Sequence, residues 1–391
     1  MGKSGGFAAQ RVMKRIVIAC GGTGGHLTPG IALSQSLYEQ GDESWLFISK
    51  KVVDSRLSRK YSMLQFVPMP GAALVRTPMG VLRFLREFWL SFLMAYSFCR
   101  KKEINAIVVF GGFTSLGPAM AARWLGIPVF THEANRAVGK AVRFVGRHSK
   151  RLYLPEGMHV EGISSEIVRN IGYPLRQDFR RIPRERARKH LGYSNSERLL
   201  VVLGGSQGAS ALNQWLKDNL ETISEEGIST YCITGLNKES PGVLSLGNSH
   251  GDQVTCKFVS FCDEMNYVLS AADLVVSRAG AGSIAEIICC RVPSILVPYP
   301  YAAENHQQKN ASYLESKGAG LVCMQEKIDS ELINEVREMM FNEELRAMIR
   351  RNLFAIDSGD VGSKIAHDIK EYLAVESSRE TKRVRLLKVF A

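Results

Sequence analysis

The chain lacks a membrane-spanning run. Its most apolar window, Phe88 to Cys99, holds 12 residues without a charge, where a spanning helix needs roughly 20. It lacks CxxC: the eight cysteines are scattered apart from the adjacent Cys289 and Cys290. That spacing argues against a zinc site or a disulfide framework and reads as reduced cytosolic thiols packed as small hydrophobes. Asp-x-Asp is absent, so a metal-chelated diphosphate site is unsupported. No secretory signal is expected from the polar, glycine-rich start MGKSGGFAAQRVMKR. What the chain has in excess is positive charge, with 50 Lys and Arg against 38 Asp and Glu, a formal charge of +12. An anionic partner follows: nucleic acid, a phosphorylated ligand or an anionic membrane surface. No nucleic-acid module is recognisable, which ranks that partner low.

With 391 residues, two or three domains are expected. Apolar, β-branched runs recur at 15–20, 45–49, 105–110, 127–131, 199–203, 229–233, 273–277 and 293–298. They are separated by helix-length stretches, the pattern of parallel strands covered on both faces in a doubly wound α/β fold. The sequence also echoes itself. IVIACGGTGG at 16–25 and LVVLGGSQGA at 200–209 each run from an apolar strand into Gly-Gly, a hydroxyl residue and another glycine. Two Rossmann-like halves are expected, each opening with a glycine-rich turn. The polar, basic stretch 172–196 reads as the linker, 357–375 as a final helix and 376–391 as a basic, mobile tail.

In such a fold, ligands bind where strands end at their carboxyl edge. Several motifs fall there, among them Phe110 to Gly117, where glycines again follow a strand. Gly21 to Gly25 lead into a helix and end in His26, so close backbone approach and free N–H groups suit a phosphate or a sugar hydroxyl. Neither Walker A nor GxGxxG is met, since no Gly-Lys-Ser/Thr ends the loop and Leu27 stands where a last glycine would. Gly204 to Gly208, with Ser206, is the matching loop. His132-Glu133-Ala134-Asn135 follows another strand. Ser277 to Glu286 ends a strand and opens a helix, placing Glu286 to accept both hydroxyls of a ribose or simply to sit in a helix dipole. Arg278 reads equally as a phosphate partner or a solvated charge. Pro298 to Ala311 carries Gln307 and Gln308, amides that can donate to and accept from sugar hydroxyls or merely lie on a polar helix face. Residues 76–102 mix six cations with Phe, Leu, Trp and Met, and 136–151 hold six cations without an acid. That is the composition of a membrane-surface element or of an ordinary core helix with a solvated face.

Together, GGTGGHLTPG (21–30), HEAN (132–135), GYPLR (172–176), GGSQGAS (204–210), SRAGAGSIAE (277–286) and ENHQQKNA (304–311) resemble the MurG family of peptidoglycan N-acetylglucosaminyltransferases. The motifs keep the family's order over roughly residues 14–375. The resemblance implies the GT-B architecture, two Rossmann-like doubly wound parallel-sheet domains facing a cleft. The divisions expected are 12–172 plus 357–375 for the acceptor and membrane-side domain, and 173–356 for the UDP-GlcNAc domain. It implies inverting transfer of N-acetylglucosamine from UDP-GlcNAc to the C4 hydroxyl of the muramoyl sugar of lipid I, giving lipid II and UDP for cell-wall synthesis. No metal or organic cofactor is implied. The protein would sit peripherally at the cytoplasmic face of the bacterial plasma membrane.

By position, the resemblance puts Ser206 near the donor diphosphate, Glu286 on the ribose, and Gln307 with Gln308 at the GlcNAc hydroxyls. Arg176 also reaches the donor, Asn135 touches the sugar from the first domain, and the segment around Cys262 contacts uracil through its backbone. Thr23, Gly24, Gly25 and His26 line the acceptor side. His26 is either the base that takes the acceptor proton or a ligand of the acceptor phosphate, with His132 and Glu133 as rival bases. Three positions depart from the commoner family pattern: Ala134 for Gln, Tyr173 for Asn, and Gly282 where a larger residue often stands. A nucleotide-sugar 2-epimerase, a diacylglycerol glycosyltransferase and a non-catalytic UDP-sugar-binding scaffold are the competing readings.

Overall fold

The computed structural model describes residues 13–389 except 22–23, 51–57, 205–208 and 237–241; of Gly24 and of residues 380–389 it describes the backbone alone. Two seven-stranded sheets organise it. The first holds β1 (Arg15–Ala19), β2 (Glu43–Ile48), β3 (Gln65–Pro68), β4 (Ala106–Val109), β5 (Val129–His132), β6 (Arg151–Leu154) and β7 (Val168–Asn170), in the order 3-2-1-4-5-6-7. Every neighbouring pair in it is parallel. The second holds β8 (Arg198–Leu203), β9 (Ile228–Ile233), β10 (Val243–Gly247), β11 (Gln253–Val259), β12 (Leu274–Ser277), β13 (Ser294–Leu296) and β14 (Leu321–Val322), in the order 10-11-9-8-12-13-14. Each sheet reverses direction beside its first strand, at β1/β4 and at β8/β12, and these are the switch points where such folds bind ligands.

The pattern of β1 explains why its sheet is covered on both sides. Ile16 and Ile18 pack in one core cluster and Val17 and Ala19 in another, because successive strand side chains point to opposite faces. One face is covered by α1 (Gly24–Glu39). The other is covered by α2 (Pro78–Lys102) and α3 (Leu116–Trp124). The short α4 (Lys140–Gly146) follows β5. In the second half, α5 (Arg184–Leu191), α6 (Ser210–Glu225), α7 (Met265–Ala271), α8 (Ala281–Cys290), α9 (His306–Ser316), α10 (Ile333–Phe341) and α11 (Glu343–Ala355) enclose a single core. The last helix, α12 (Val361–Val389), returns to the first half. Val361, Ile365, Ile369 and Leu373, spaced by four, bury one stripe against α1. Polar ties fix it there: the Tyr153 hydroxyl donates to Asp368 at 2.7 Å and Lys370 pairs with Asp42 at 2.8 Å.

All eight expected strands form, and the structure adds six. The added strands are short or alternate in burial, as in β10, so they do not read as buried runs. β10 pairs antiparallel with β11, which corrects the expectation of parallel pairing throughout. A compact turn at 248–252, closed by Asn248 accepting from the Asp252 N–H at 2.8 Å, joins the two strands and dictates that direction. The linker is also shorter than 172–196, since 184–191 is helix α5. Its charge misleads. Arg188 is fully buried, with one nitrogen 2.6 Å from Asp273 and another donating to the carbonyls of Ser194 and Asn195. Nor does the chain leave the helix at 375. α12 continues to Val389, through a stretch without Gly or Pro.

Candidate functional site

The carboxyl edges of the two sheets line one cleft of about 1910 Å³. On the first side, the β1 loop enters α1 at Gly24, and His26 stands in the first helical turn. Its ring lies against Gly111 and Gly112, which follow β4 with φ of +87° and +77°. Only glycine adopts such φ readily, and a Cβ on Gly112 would sit 3.3 Å from the ring. Thr114 ties the two loops by donating to the Gly21 carbonyl at 2.7 Å.

After β5, Glu133 braces its own loop. One carboxylate oxygen accepts from the Asn135 N–H at 3.0 Å and side-chain Nδ2 at 3.2 Å, and the other from the Gly139 N–H at 3.0 Å. Burial pushes this carboxyl up, against the pull of those donors. His132 is turned inward: fully buried, its Nε2 is 3.0 Å from the Gly172 carbonyl. Burial depresses its pKa to about 4, so it stays neutral at physiological pH. Of the two rival bases, Glu133 lines the cleft with its carboxylate oxygens already accepting from amides, whereas His132 does not line it.

On the second side, α8 begins at the cleft with Gly280 as its N-cap residue. Glu286 lies 4.0 Å from Arg176 and keeps 17% of its side chain exposed. Burial raises its pKa to about 7; Arg176 opposes that rise and Asp178 adds to it. Gln307 opens α9, its Oε1 accepting from the Tyr299 N–H at 2.9 Å. Cys262 lines the cleft, its thiol pushed up by burial. Arg278 is not a solvated charge, although it lines the cleft. It is buried, and donates to the carbonyls of Val297 and Pro298 and to Gln325.

The cleft therefore gathers Gly25, His26, Asn135, Arg176, Cys262, Glu286 and Gln307. Gln308, one position on, is exposed and does not line it, because adjacent helical residues face about 100° apart. Thr23 and Ser206 lie outside the described residues, and Gly24 is placed only as the start of α1. Among the described residues no cluster of three His, Cys, Asp or Glu is disposed to hold a metal ion.

Asn310 is a contact the sequence did not single out. Buried at the junction of the halves, it accepts from the Arg136 N–H at 2.8 Å and donates to Asn135 Oδ1 at 3.2 Å and to the Ala279 carbonyl at 3.1 Å. The guanidinium of Arg136 stacks 3.3 Å over the Tyr313 ring. Its place inside the ENHQQKNA motif was the available signal.

Two of the departures from the commoner pattern compensate each other. A Cβ on Gly282 would come within 3.1 Å of the Tyr173 hydroxyl. The large ring at 173 thus fills the space that a larger side chain at 282 would need.

The comparisons with known proteins follow this geometry. The glycosyltransferase family 28 N-terminal domain matches residues 16–154 and its C-terminal domain residues 199–366. A UDP-N-acetylglucosamine–N-acetylmuramyl-(pentapeptide) pyrophosphoryl-undecaprenol N-acetylglucosamine transferase of Opitutus terrae is 42% identical over 92% of this chain and 95% of its own. The chain belongs to the MurG enzymes of glycosyltransferase family 28. A like-named transferase of Prochlorococcus marinus is 32% identical over 85% of this chain and 90% of its own. Among solved structures, MurG of Acinetobacter baumannii superposes with a TM-score of 0.68 at 21% identity, covering 92% of this chain and 99% of that one. A UDP-N-acetylglucosamine 2-epimerase of Listeria monocytogenes reaches 0.64 at 12% identity, over 93% and 97%. The GT-B fold is therefore common to transferase and epimerase, and the fold alone does not separate them.

Proposed function

We propose that the chain transfers N-acetylglucosamine from UDP-GlcNAc to the C4 hydroxyl of the muramoyl sugar of lipid I, yielding lipid II and UDP. The observation that carries this reading is the 42% identity, over nearly the whole of both chains, to a transferase of that name. It is joined by a cleft whose second side offers a carboxylate and an amide, Glu286 and Gln307, suited to hydroxyl groups.

In our reading the second half holds the donor. Glu286 accepts the ribose hydroxyls, Gln307 meets the sugar, and Cys262 lies beside the base. Arg176 and the N-terminus of α8 supply positive potential for the departing diphosphate. The acceptor enters from the first half, with its diphosphate near Gly25. As O4 bonds to the anomeric carbon, the bond from that carbon to the UDP oxygen breaks and UDP leaves with the electron pair. The O4 proton passes to His26, which lines the first side of the cleft. Asn135, which among the described residues keeps one amide hydrogen and one lone pair uncommitted, contacts the sugar across the junction.

A peripheral position on the anionic cytoplasmic surface of the plasma membrane completes the proposal. No helix of the described residues is long and apolar enough to cross a membrane. Instead α2 exposes Met79, Leu82, Leu85, Trp89 and Leu93 at helical spacing, with Arg76 just before it, Arg83 and Arg86 within it, and Lys140 and Arg143 in α4. Leu85, Phe88 and Phe144 continue that apolar surface into the cleft. Release of UDP from UDP-GlcNAc in detergent, with and without a lipid I analogue and with EDTA, tests the reading. Acceptor-dependent UDP release with a disaccharide product supports it. UDP-GlcNAc turnover without acceptor points to an epimerase, and binding without turnover to a scaffold.

A further inference from the structure

The donor side makes contact with a part of the first half that carries none of the sequence motifs. Lys60 and Tyr61 lie between β2 and β3. Tyr61 is buried, 6% exposed, in the core of the first half. Its hydroxyl accepts from Arg176 Nη1 at 2.8 Å and donates to Asp178 Oδ2 at 2.9 Å. A hydroxyl oxygen can do both at once. The Arg176 guanidinium lies 5.9 Å from the centroid of the Tyr61 ring, and its other nitrogen is 4.0 Å from Glu286. Lys60 Nζ is 3.4 Å from Asp178 Oδ2 and donates to the Asp263 carbonyl at 3.4 Å. One dipeptide of the first half therefore holds the linker, at Asp178, and the segment next to Cys262.

We propose that Tyr61 is a positioning residue for donor binding: its hydroxyl holds the Arg176 guanidinium in place beside Glu286, and Lys60 and Asp178 fix that hydroxyl in turn. The inference rests on the donor reading given above. Arginine is a long, flexible side chain, and holding it in advance removes an ordering cost from ligand binding. Burial, and after it the neighbouring Asp178, keep the phenol protonated, so it remains a donor to that carboxylate across the working pH range. Without the hydroxyl, Arg176 loses its closest partner and is drawn to the carboxylates on either side. One of these is Glu286, whose oxygens the guanidinium would then occupy in competition with the ribose hydroxyls.

The test is Tyr61→Phe, which keeps the ring in the core and deletes the hydroxyl. UDP affinity is read by calorimetry, and the kinetics by varying both substrates. The Kd for UDP and the KM for UDP-GlcNAc are expected to rise about tenfold, the loss of one hydrogen bond to a charged group. The acceptor KM and kcat should stay within about twofold. A general loss of fold would move all of these together. In an Arg176→Ala background, adding Tyr61→Phe should change UDP affinity no further, because Tyr61 acts only through Arg176. Unchanged UDP affinity in the single variant, or losses that multiply in the double variant, overturn the proposal. If Tyr61→Phe does not fold, Asp178→Ala removes the hydroxyl's acceptor and should weaken UDP binding in the same direction; unchanged affinity there also overturns it. UDP affinity is measured without acceptor, so a wild-type protein that fails to glycosylate lipid I sinks the transferase reading while leaving this comparison interpretable.

Discussion

The two halves share one strand order and present opposite chemistry at the same edge. In each, the strands run 3-2-1-4-5-6 outward from a switch point, once β10 is set aside as an added edge strand. In the second half the elements behind that edge deliver Glu286, Gln307 and Arg278 to the cleft and pack around one continuous core. In the first half they deliver His26 and a glycine pair, the core divides by sheet face, and α2 leaves large apolar side chains in solvent. The fold fixes where a ligand sits. Which ligand it is depends on what stands at the carboxyl ends: in the proposed reading, carboxylate and amide for a nucleotide sugar, an imidazole beside an apolar helix for a lipid-linked acceptor.

That contrast can be broken at either side. The largest effect is expected from His26→Ala, which should lower kcat by ~10²-fold or more if the imidazole takes the acceptor proton. UDP release at saturating acceptor measures it, and an unchanged kcat with a raised acceptor KM would reassign His26 to the acceptor diphosphate. On the other side, Glu286→Gln should raise the donor KM by roughly ten- to a hundredfold with the acceptor KM unaltered, since hydrogen bonds to a charged group are lost.

The same residue sets a pH dependence. Burial raises the Glu286 carboxyl to about 7, and only the ionised form leaves both oxygens free to accept from the two ribose hydroxyls. Donor binding should therefore strengthen as pH rises through about 7 and level off above it, because the proton that competes with the ribose is gone. UDP-GlcNAc affinity measured by calorimetry without acceptor across roughly pH 5.5–8.5 would show the rise, and Glu286→Gln should flatten it. A slope unaltered in that variant would place the titrating group elsewhere.

Smaller effects sharpen the comparison. Gly282→Leu should clash with the Tyr173 hydroxyl and cost about 1–3 kcal/mol of stability as overpacking. Adding Tyr173→Asn should recover most of the loss, and thermal unfolding of the two single variants and the double variant would read the coupling. The smallest effect on chemistry belongs to α2. Leu82→Asp with Trp89→Asp should reduce co-sedimentation with anionic vesicles while leaving turnover of a short-chain, water-soluble acceptor analogue unaltered. Equal binding of wild type and variant to vesicles would move the membrane contact off this helix.

Much of this arrangement is legible along the chain. The eight buried strands announce themselves as apolar runs, and the glycine-rich turns mark carboxyl ends because only glycine lets a backbone approach a ligand and turn at once. Edge strands such as β3 and β10 do not, since half-exposed alternation in four or five residues is indistinguishable from a loop. Arg188 shows the limit of reading charge locally. In sequence it belongs to a basic linker, yet Asp273, 85 residues away, makes it a buried post. The Gly282 departure looked like an isolated change until Tyr173 was found against it.

The sequence by itself determined the α/β class, the two glycine-opened halves and, through six motifs in family order, the family. These follow from local periodicity and short-range turn chemistry, which a single segment expresses on its own. Only the tertiary structure decided that His132 is buried away from the cleft while Glu133 lines it and braces its own loop, that Gln308 turns away while Gln307 turns in, and that Tyr61 grips Arg176 from 115 residues away. Contacts between distant segments carry no periodic trace in the chain, because they depend on how sheets, helices and linker close around one another.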